Sequence, residues 1–200
     1  SNALLAPAAG RLGDMLAAAS ASMTAGDAIA LGFADFYVHS SRLEELRARL
    51  SGGEDPAAAV AALAEEAPAS ELLATLEWFE EMADAALGTP EQTLADPKAA
   101  VLRLVAELGS SQIERACALA SEIRAVSPTS VVVAIAQLAR TRTESLGVAE
   151  ALVDDYRVLG RMFGRGDFSE GARAQLIDKD GKPQWSPATL EEVDSAEIAR

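Results

Sequence analysis

GRGDFSEGARAQLIDKDGKPQWSPATLEEV, residues Gly164 to Val193, has a residue order too particular to follow from helix packing alone. Gly164 and Gly166 are placed to stop a preceding helix. Asp167 with Glu170 three residues on is a capping-box pattern, so the next helix is expected to run through Arg173 to about Ile177. Asp180-Gly181 favours a tight reversal, and Lys182-Pro183 forbids helix across it. Ser186-Pro187 then predicts a short terminal helix with serine as its cap and proline as its first residue.

Working outward, Val148, Leu152, Tyr156, Leu159 and Phe163 are spaced by four, four, three and four, which predicts a helix with one continuous buried face. Ser127-Pro128 opens the helix before it, and the apolar run Val131 to Ile135 belongs to that helix rather than to a strand. Ser111 and Glu114 form a capping box for a helix expected to carry Ile113, Cys117 and Ala120 inward. Asp96-Pro97 opens another, closed by Gly109. Glu71 to Leu87 has Leu72, Leu73, Leu76, Phe79 and Met82 along one stripe. Pro56 to Ala67 and Arg42 to Leu50 read as helices, with the acidic, glycine-containing stretch Ser51 to Pro56 as a mobile loop between them. Thr24 and Asp27 cap a short helix, Ala25 to Leu31, which Gly32 ends. Phe33 to Val38 is the good strand candidate, and the small, apolar residues Ala3 to Ala21 are broken by Gly10 and Gly13.

The composition agrees with a mainly α fold. Half of the 200 residues are hydrophobic, but alanine dominates and aromatics make up only 4%, which favours close-packed helices over sheets. A formal charge of −14 argues against nucleic acid or an anionic membrane as the main partner, so any basic site must be local. One cysteine, Cys117, forms no disulfide within the chain, and no apolar run reaches membrane-spanning length; the expected compartment is the cytoplasm. No sequence period of 20 to 50 residues repeats, which excludes a solenoid.

The Gly164 to Val193 stretch, from Asp167 onward, resembles the C-terminal signature of the 3-hydroxyisobutyryl-CoA hydrolase branch of the enoyl-CoA hydratase/isomerase (crotonase) superfamily. SPTSVVVAIAQLARTRTESLGVAEALVDDYRVLGRMF, Ser127 to Phe163, is similar to the helical segment before that signature, and MTAGDAIALGFADFYVHSSRLEEL, Met23 to Leu46, to the segment that follows the active-site core. The middle, Ala48 to Arg124, resembles the family only in pattern. The resemblance implies the C-terminal helical portion of a crotonase-like fold, with at most one or two short strands and without the catalytic β-core segment. On this reading residues 1–50 are the core-exit segment and first helices, and 51–200 the C-terminal helical region. Ser1-Asn2-Ala3 reads as the remnant of a cleaved tag, and the chain as a piece of a longer protein.

For the parent protein the resemblance implies an acyl-CoA substrate and hydrolysis of the 3-hydroxyisobutyryl-CoA thioester. An enoyl-CoA hydratase or isomerase parent and a non-catalytic helical oligomerisation module are the alternatives. The family's oxyanion-hole glycines and its P-E-x-x-x-G-x-x-P-D-like carboxylate segment have no counterpart here, since Gly52-Gly53 lies in an acidic loop in the wrong order; no catalytic residue is therefore assigned. The resemblance implies that C-terminal segments help enclose the coenzyme A nucleotide. That makes Lys179 and Lys182, on a turn otherwise bounded by acids, and secondarily Arg173, candidate contacts for its phosphates. Arg173 is equally suited to pair with Asp167 or Glu170 on its own helix.

The remaining polar residues carry less. His39 follows Phe36-Tyr37-Val38 at a loop edge, with Asp35 four residues before it, and reads as structural; Cys117 reads as a buried, inert thiol. Asp178 to Gly181 fails as a calcium loop because proline stands where that loop needs glycine, and no metal or separate cofactor is expected, coenzyme A being part of the substrate. Phe168 and Trp185 read as core anchors. The expected assembly is a homo-oligomer closing over apolar surface along Ala3 to Leu16 and the edge of the Phe33 to Val38 strand.

Overall fold

The computed structural model describes residues 2–198, and every element of it is helical or irregular. In chain order the helices begin with α1 (Asn2–Leu5), α2 (Leu12–Ala19) and α3 (Ala25–Ala30). A 3-10 turn at Ser40–Arg42 leads into α4 (Leu43–Ser51), α5 (Pro56–Ala61) and α6 (Leu72–Leu87). Then come α7 (Pro90–Ala95), α8 (Pro97–Ser110), α9 (Glu114–Ala125), α10 (Pro128–Thr143) and α11 (Val148–Phe163). The chain ends with α12 (Gly166–Ala172), prolonged by a π-helical turn at Arg173–Ile177, a 3-10 turn at Leu190–Glu192, and α13 (Ser195–Ile198). The mainly α expectation holds, without a β-strand among the described residues. No single helix among them is long and apolar enough to cross a membrane.

Two compact units divide the chain, and the cut falls inside α6. The smaller, residues 22–77, is organised by Asp27. The expected capping box is present: Thr24 Oγ1 accepts from the Asp27 amide at 3.2 Å while Asp27 Oδ2 accepts from the Thr24 amide at 2.8 Å. The same carboxylate also accepts from Ser70 Oγ at 2.7 Å and from the Leu72 amide at 3.0 Å, so one buried acid closes two ends of this unit. Burial alone would raise its pKa, but the donors from Leu72, Ser70 and Thr24 outweigh that and hold it well below the usual carboxylate range. Gly26 is required here: a Cβ on it would stand 2.2 Å from the Pro68 carbonyl oxygen.

Two expectations for this unit change. Phe33 to Val38 is not a strand but a loop with a single antiparallel bridge, Tyr37 to Glu65, because no neighbouring segment lies alongside to complete a ladder. α5 stops at Ala61 rather than Ala67, since Glu65 is drawn off into that bridge, its amide donating to the Tyr37 carbonyl at 2.9 Å.

The larger unit, residues 2–21 and 78–198, has α10 at its centre, packed on α2, α7 and α8, while α8 packs on α9. Its core is Leu12, Met15 and Leu16 from α2, Phe79 and Leu87 from α6, Leu104 and Leu108 from α8, Leu119 and Ile123 from α9, and Ile135 and Leu138 from α10. α2 is thus interior, not the exposed apolar surface expected of Ala3 to Leu16. α9 starts at Glu114 without a side-chain cap, and its inward residues are Ala116, Leu119, Ala120 and Ile123. The anticipated Ile113–Cys117 face is rotated outward because Ser111 accepts from the Ile113 amide instead of capping further into the helix. The division of the chain at residue 50 concerns descent, which these packing units do not address.

The largest departure is α11. Its spacing is the most amphipathic in the sequence, yet Tyr156 is 80% exposed, Leu159 55% and Phe163 57%. What α11 turns inward is Ala151 and Asp154, the latter accepting from Arg140 Nη1 at 2.9 Å. The pattern correctly announces a helix with an apolar face, but among the described residues nothing covers most of that face.

Candidate functional site

Residues 167–185 form one side of a cleft of about 820 Å³. α10 contributes Val133, Ala134 and Gln137, α11 contributes Val158, Leu159 and Met162, and the α12 region contributes Phe168, Ala172, Gln175 and Leu176, with Trp185 at the edge. Its geometry depends on a second buried acid. Asp167 does not cap α12 as its spacing with Glu170 suggests; α12 begins at Gly166 behind Arg165, without a side-chain cap. Instead Asp167 Oδ2 accepts from Ser127 Oγ at 2.5 Å and Oδ1 from the Ser186 amide at 2.8 Å. Ser127 at the same time accepts from the Ser130 amide at 3.3 Å, the expected cap of α10. The Trp185 indole donates to the Ala125 carbonyl at 2.9 Å.

These bonds hold residues 184–187 against the start of α10 in irregular form, so the helix expected from Ser186-Pro187 does not form there. The Ser186-Pro187 peptide is cis, and a 3-10 turn begins only at Leu190. Trp185 is half-buried and its ring lies 3.4 Å from where a Cβ on Gly171 would stand, so it packs as an anchor. Phe168 is exposed and stacks edge-on against Phe163 with centroids 4.3 Å apart, which places it on the surface rather than in the core.

The three candidate cations lie at the outer end of this stretch, and none of them lines the cleft. Arg173 is fully engaged: Glu170 takes Nε at 2.9 Å and Nη2 at 2.8 Å, Asp178 and Asp180 take Nη1 at 2.6 and 2.8 Å, and the Lys182 carbonyl accepts from Nη2 at 3.2 Å. Of the two partners suggested by sequence, Glu170 is the one it finds. The turn closes with Lys179 at φ 55° and Gly181 at φ 62°, the Asp180 carboxylate accepting from the Lys182 amide at 2.9 Å. The Lys179 and Lys182 ammonium groups project from this turn and make no ion pair among the described residues.

The Arg173 guanidinium, helped by the Gln184 amide, lowers the Glu170 pKa from 4.5 to about 2, and Arg173 together with the Lys182 amide lowers that of Asp180. A carboxylate whose folded pKa is depressed stabilises its fold above its unfolded pKa and loses that contribution as pH falls through the folded value. The turn is therefore expected to stay locked on acidification to about pH 3 and to open as pH approaches about 2. Trp185 emission in a Trp78→Phe background is the readout. Glu170→Gln should show the opened emission already at neutral pH, and an identical acid transition in that variant would remove Glu170 from the account.

The carboxylates that line the cleft both accept hydrogen bonds, Asp167 as above and Asp155 Oδ1 from the Asn2 side-chain Nδ2 at 2.7 Å. Gln137 lines the cleft, and its Nε2 is buried without a hydrogen-bond partner among the described residues. Neither Gln137 nor the Ser127–Asp167 pair was signalled by sequence, because Ser127 and Asp167 are 40 positions apart and share no local motif. His39 sits on the surface, its Nδ1 accepting from the Ser41 amide at 3.3 Å, and Cys117 is half-buried with its thiol 3.3 Å from the Ser111 carbonyl. Among the described residues no group of three His, Cys, Asp or Glu is placed to hold a metal ion.

The whole chain, residues 1–200, matches the sequence pattern of the enoyl-CoA hydratase/isomerase family. The mitochondrial 3-hydroxyisobutyryl-CoA hydrolase of Bos taurus is 40% identical over 76 residues, which is 38% of this chain and 19% of that protein. The 3-hydroxyisobutyryl-CoA hydrolase-like protein 5 of Arabidopsis thaliana is 28% identical over 203 residues, 94% of this chain and 49% of that one. Among solved structures, a carnitinyl-CoA dehydratase from Mycobacterium thermoresistibile superposes with a TM-score of 0.79 at 33% identity, covering 98% of this chain and 52% of its own. An enoyl-CoA hydratase from Rhodobacter sphaeroides 2.4.1 superposes at 0.75 with 32% identity, covering 99% and 53%. The chain thus spans about half the length of the relatives it matches along its whole extent. With helices laid out as in those folds and the sequence pattern matched from end to end, the chain belongs to the enoyl-CoA hydratase/isomerase family.

Proposed function

We propose that this chain is the C-terminal helical portion of an acyl-CoA-processing enzyme, and that the enzyme hydrolyses the 3-hydroxyisobutyryl-CoA thioester. The observation that carries the reaction is the 40% identity to a protein named for that hydrolysis. In such a reaction backbone amides stabilise a thioester-derived oxyanion and a carboxylate directs water. The cleft carboxylates here are held by Ser127, Ser186 and Asn2, and the 200-residue chain by itself is expected to be inactive. Its part is recognition. Lys179 and Lys182 meet the coenzyme A phosphates as point charges, and Arg173 holds the turn that presents them.

The second reading, an enoyl-CoA hydratase or dehydratase, is favoured by the two solved structures that carry those activities in their names. The full-length protein decides between them. Release of free coenzyme A from 3-hydroxyisobutyryl-CoA is expected, and hydration of an enoyl-CoA without thioester cleavage would replace the first reading with the second. In the same assay Lys179→Ala with Lys182→Ala should raise KM several-fold and leave kcat unchanged; an unaltered KM would remove the lysines from the site.

A further inference from the structure

The chain returning from the 178–182 turn is tied to α12 and its π-helical extension by a ladder of three side chains. Asp167, Glu170 and Arg173 follow one another at three-residue steps, which sets them along one helical face. Against them the returning chain offers every second residue. The Ser186 amide donates to Asp167 Oδ1 at 2.8 Å, the Gln184 amide donates to Glu170 Oε1 at 2.7 Å, and the Lys182 carbonyl accepts from Arg173 Nη2 at 3.2 Å. The rungs differ in kind. Glu170 and Arg173 are partly open to water, whereas Asp167 is buried and reaches beyond the ladder, its Oδ2 accepting from Ser127 Oγ, the cap of α10.

Apolar packing does not place the turn. Residues 175–182 are all exposed, Leu176 and Ile177 among them, so the turn is placed by hydrogen bonds. The helix end supplies two, from the Asp178 amide to the Arg173 carbonyl at 2.8 Å and from the Gly181 amide to the Ala174 carbonyl at 3.1 Å. Those fasten the turn to its own helix. The tie to α10 comes from Asp167, in a buried setting where a charge-assisted hydrogen bond is stronger than the same bond on the surface. We propose that Asp167 is a positioning residue for the coenzyme A contact: joined to Ser127 through one oxygen and to the Ser186 amide through the other, it anchors the ladder on α10 and so fixes where Lys179 and Lys182 stand. This role rests on the reading of the two lysines as phosphate contacts. A lysine on a loosened turn must be ordered anew each time phosphate binds, which costs affinity even though its charge is unchanged.

Titration calorimetry of the full-length protein with free coenzyme A tests this. Asp167→Ala is expected to weaken coenzyme A several-fold, and Asp167→Asn, whose Oδ1 can still accept from the Ser186 amide, to recover most of that loss. In a Lys179→Ala, Lys182→Ala background Asp167→Ala should add nothing, because it acts through the lysines; a general loosening of the fold would show its full effect there. Ser127→Ala removes the tie to α10 and leaves the Ser186 bond. With Ser127→Thr as its conservative counterpart, it carries the same expectations should Asp167→Ala not fold. A full-length protein that does not bind coenzyme A, or a lysine double variant that binds it as the wild type does, removes the phosphate reading and the role of Asp167 with it. If the lysines matter, but the loss at position 167 is absent, is equal without them, or is not recovered by asparagine, the lysine contact stands and Asp167 is not what positions it.

Discussion

Asp14→Ala is expected to cost about 3–5 kcal/mol of unfolding free energy, the largest effect of any charge deletion in the larger unit. Asp14 is only 2% exposed in the first turn of α2, and both its oxygens accept from Arg142 Nη1 of α10, at 2.9 and 2.8 Å. Arg142 is itself largely buried, and its Nε donates to the Ala6 carbonyl at 3.0 Å. Removing the carboxylate leaves the guanidinium in a desolvated position, where its Nη2 already has no partner among the described residues. The nearby Arg11, with Nη1 3.9 Å from Asp14, would then add like-charge repulsion. A buried pair, however, is a poor stabiliser compared with well-packed apolar side chains. Asp14→Leu combined with Arg142→Met should accordingly cost far less than Asp14→Ala alone, about 1 kcal/mol. Urea melts of the three proteins decide it: a cost below about 1 kcal/mol for Asp14→Ala would mean that water reaches Arg142.

What the sequence discloses about this fold follows from how far apart the deciding residues lie. The Thr24–Asp27 box, the Ser127 cap and the stop at Gly164 are local devices completed within three or four residues, and each is where its spacing says. Thr89 with Gln92 forms an equally local box that starts α7. Asp167 shows the opposite case. Its spacing to Glu170 imitates a cap, yet a buried serine from another helix and the Ser186 amide compete for the carboxylate and win, because they satisfy a donor that would otherwise be buried unpaired. The Phe33 to Val38 segment has strand composition but lacks a neighbour, and a strand is not a property of one segment. Of the candidate site, the charges on the 178–182 turn were legible because a turn is local; the cleft was not, because α10, α11 and α12 converge only in three dimensions. α11 sets the limit of periodicity as evidence: spacing shows that a face is apolar and is silent on what lies against it.

α6 sharpens that last point into a measurement. The stripe read from sequence ran through Leu72, Leu73, Leu76, Phe79 and Met82, but the residues of α6 that are buried are Phe79, Ala83, Ala86 and Leu87. The small residues at 83 and 86 follow Phe79 at the four- and three-residue steps of one helical face, so the buried strip of α6 carries a single large ring, and that ring is completely enclosed. Trp78, one position earlier and larger, is turned about 100° away and stays half-buried, its ring edge-on to Phe79 with centroids 6.3 Å apart. Phe79→Ala should therefore cost about 3–5 kcal/mol, from lost apolar transfer and from the cavity left among α-helices that cannot close on it. Trp78→Ala should cost only about 1–2 kcal/mol, although it deletes more atoms, because much of what it removes was already in water. Both variants belong to the same helix, so altered helix propensity cancels in the comparison. A Trp78→Ala midpoint in urea as low as that of Phe79→Ala would mean that the inward face of α6 is centred on the tryptophan and that the alanines, not the phenylalanine, mark its edge.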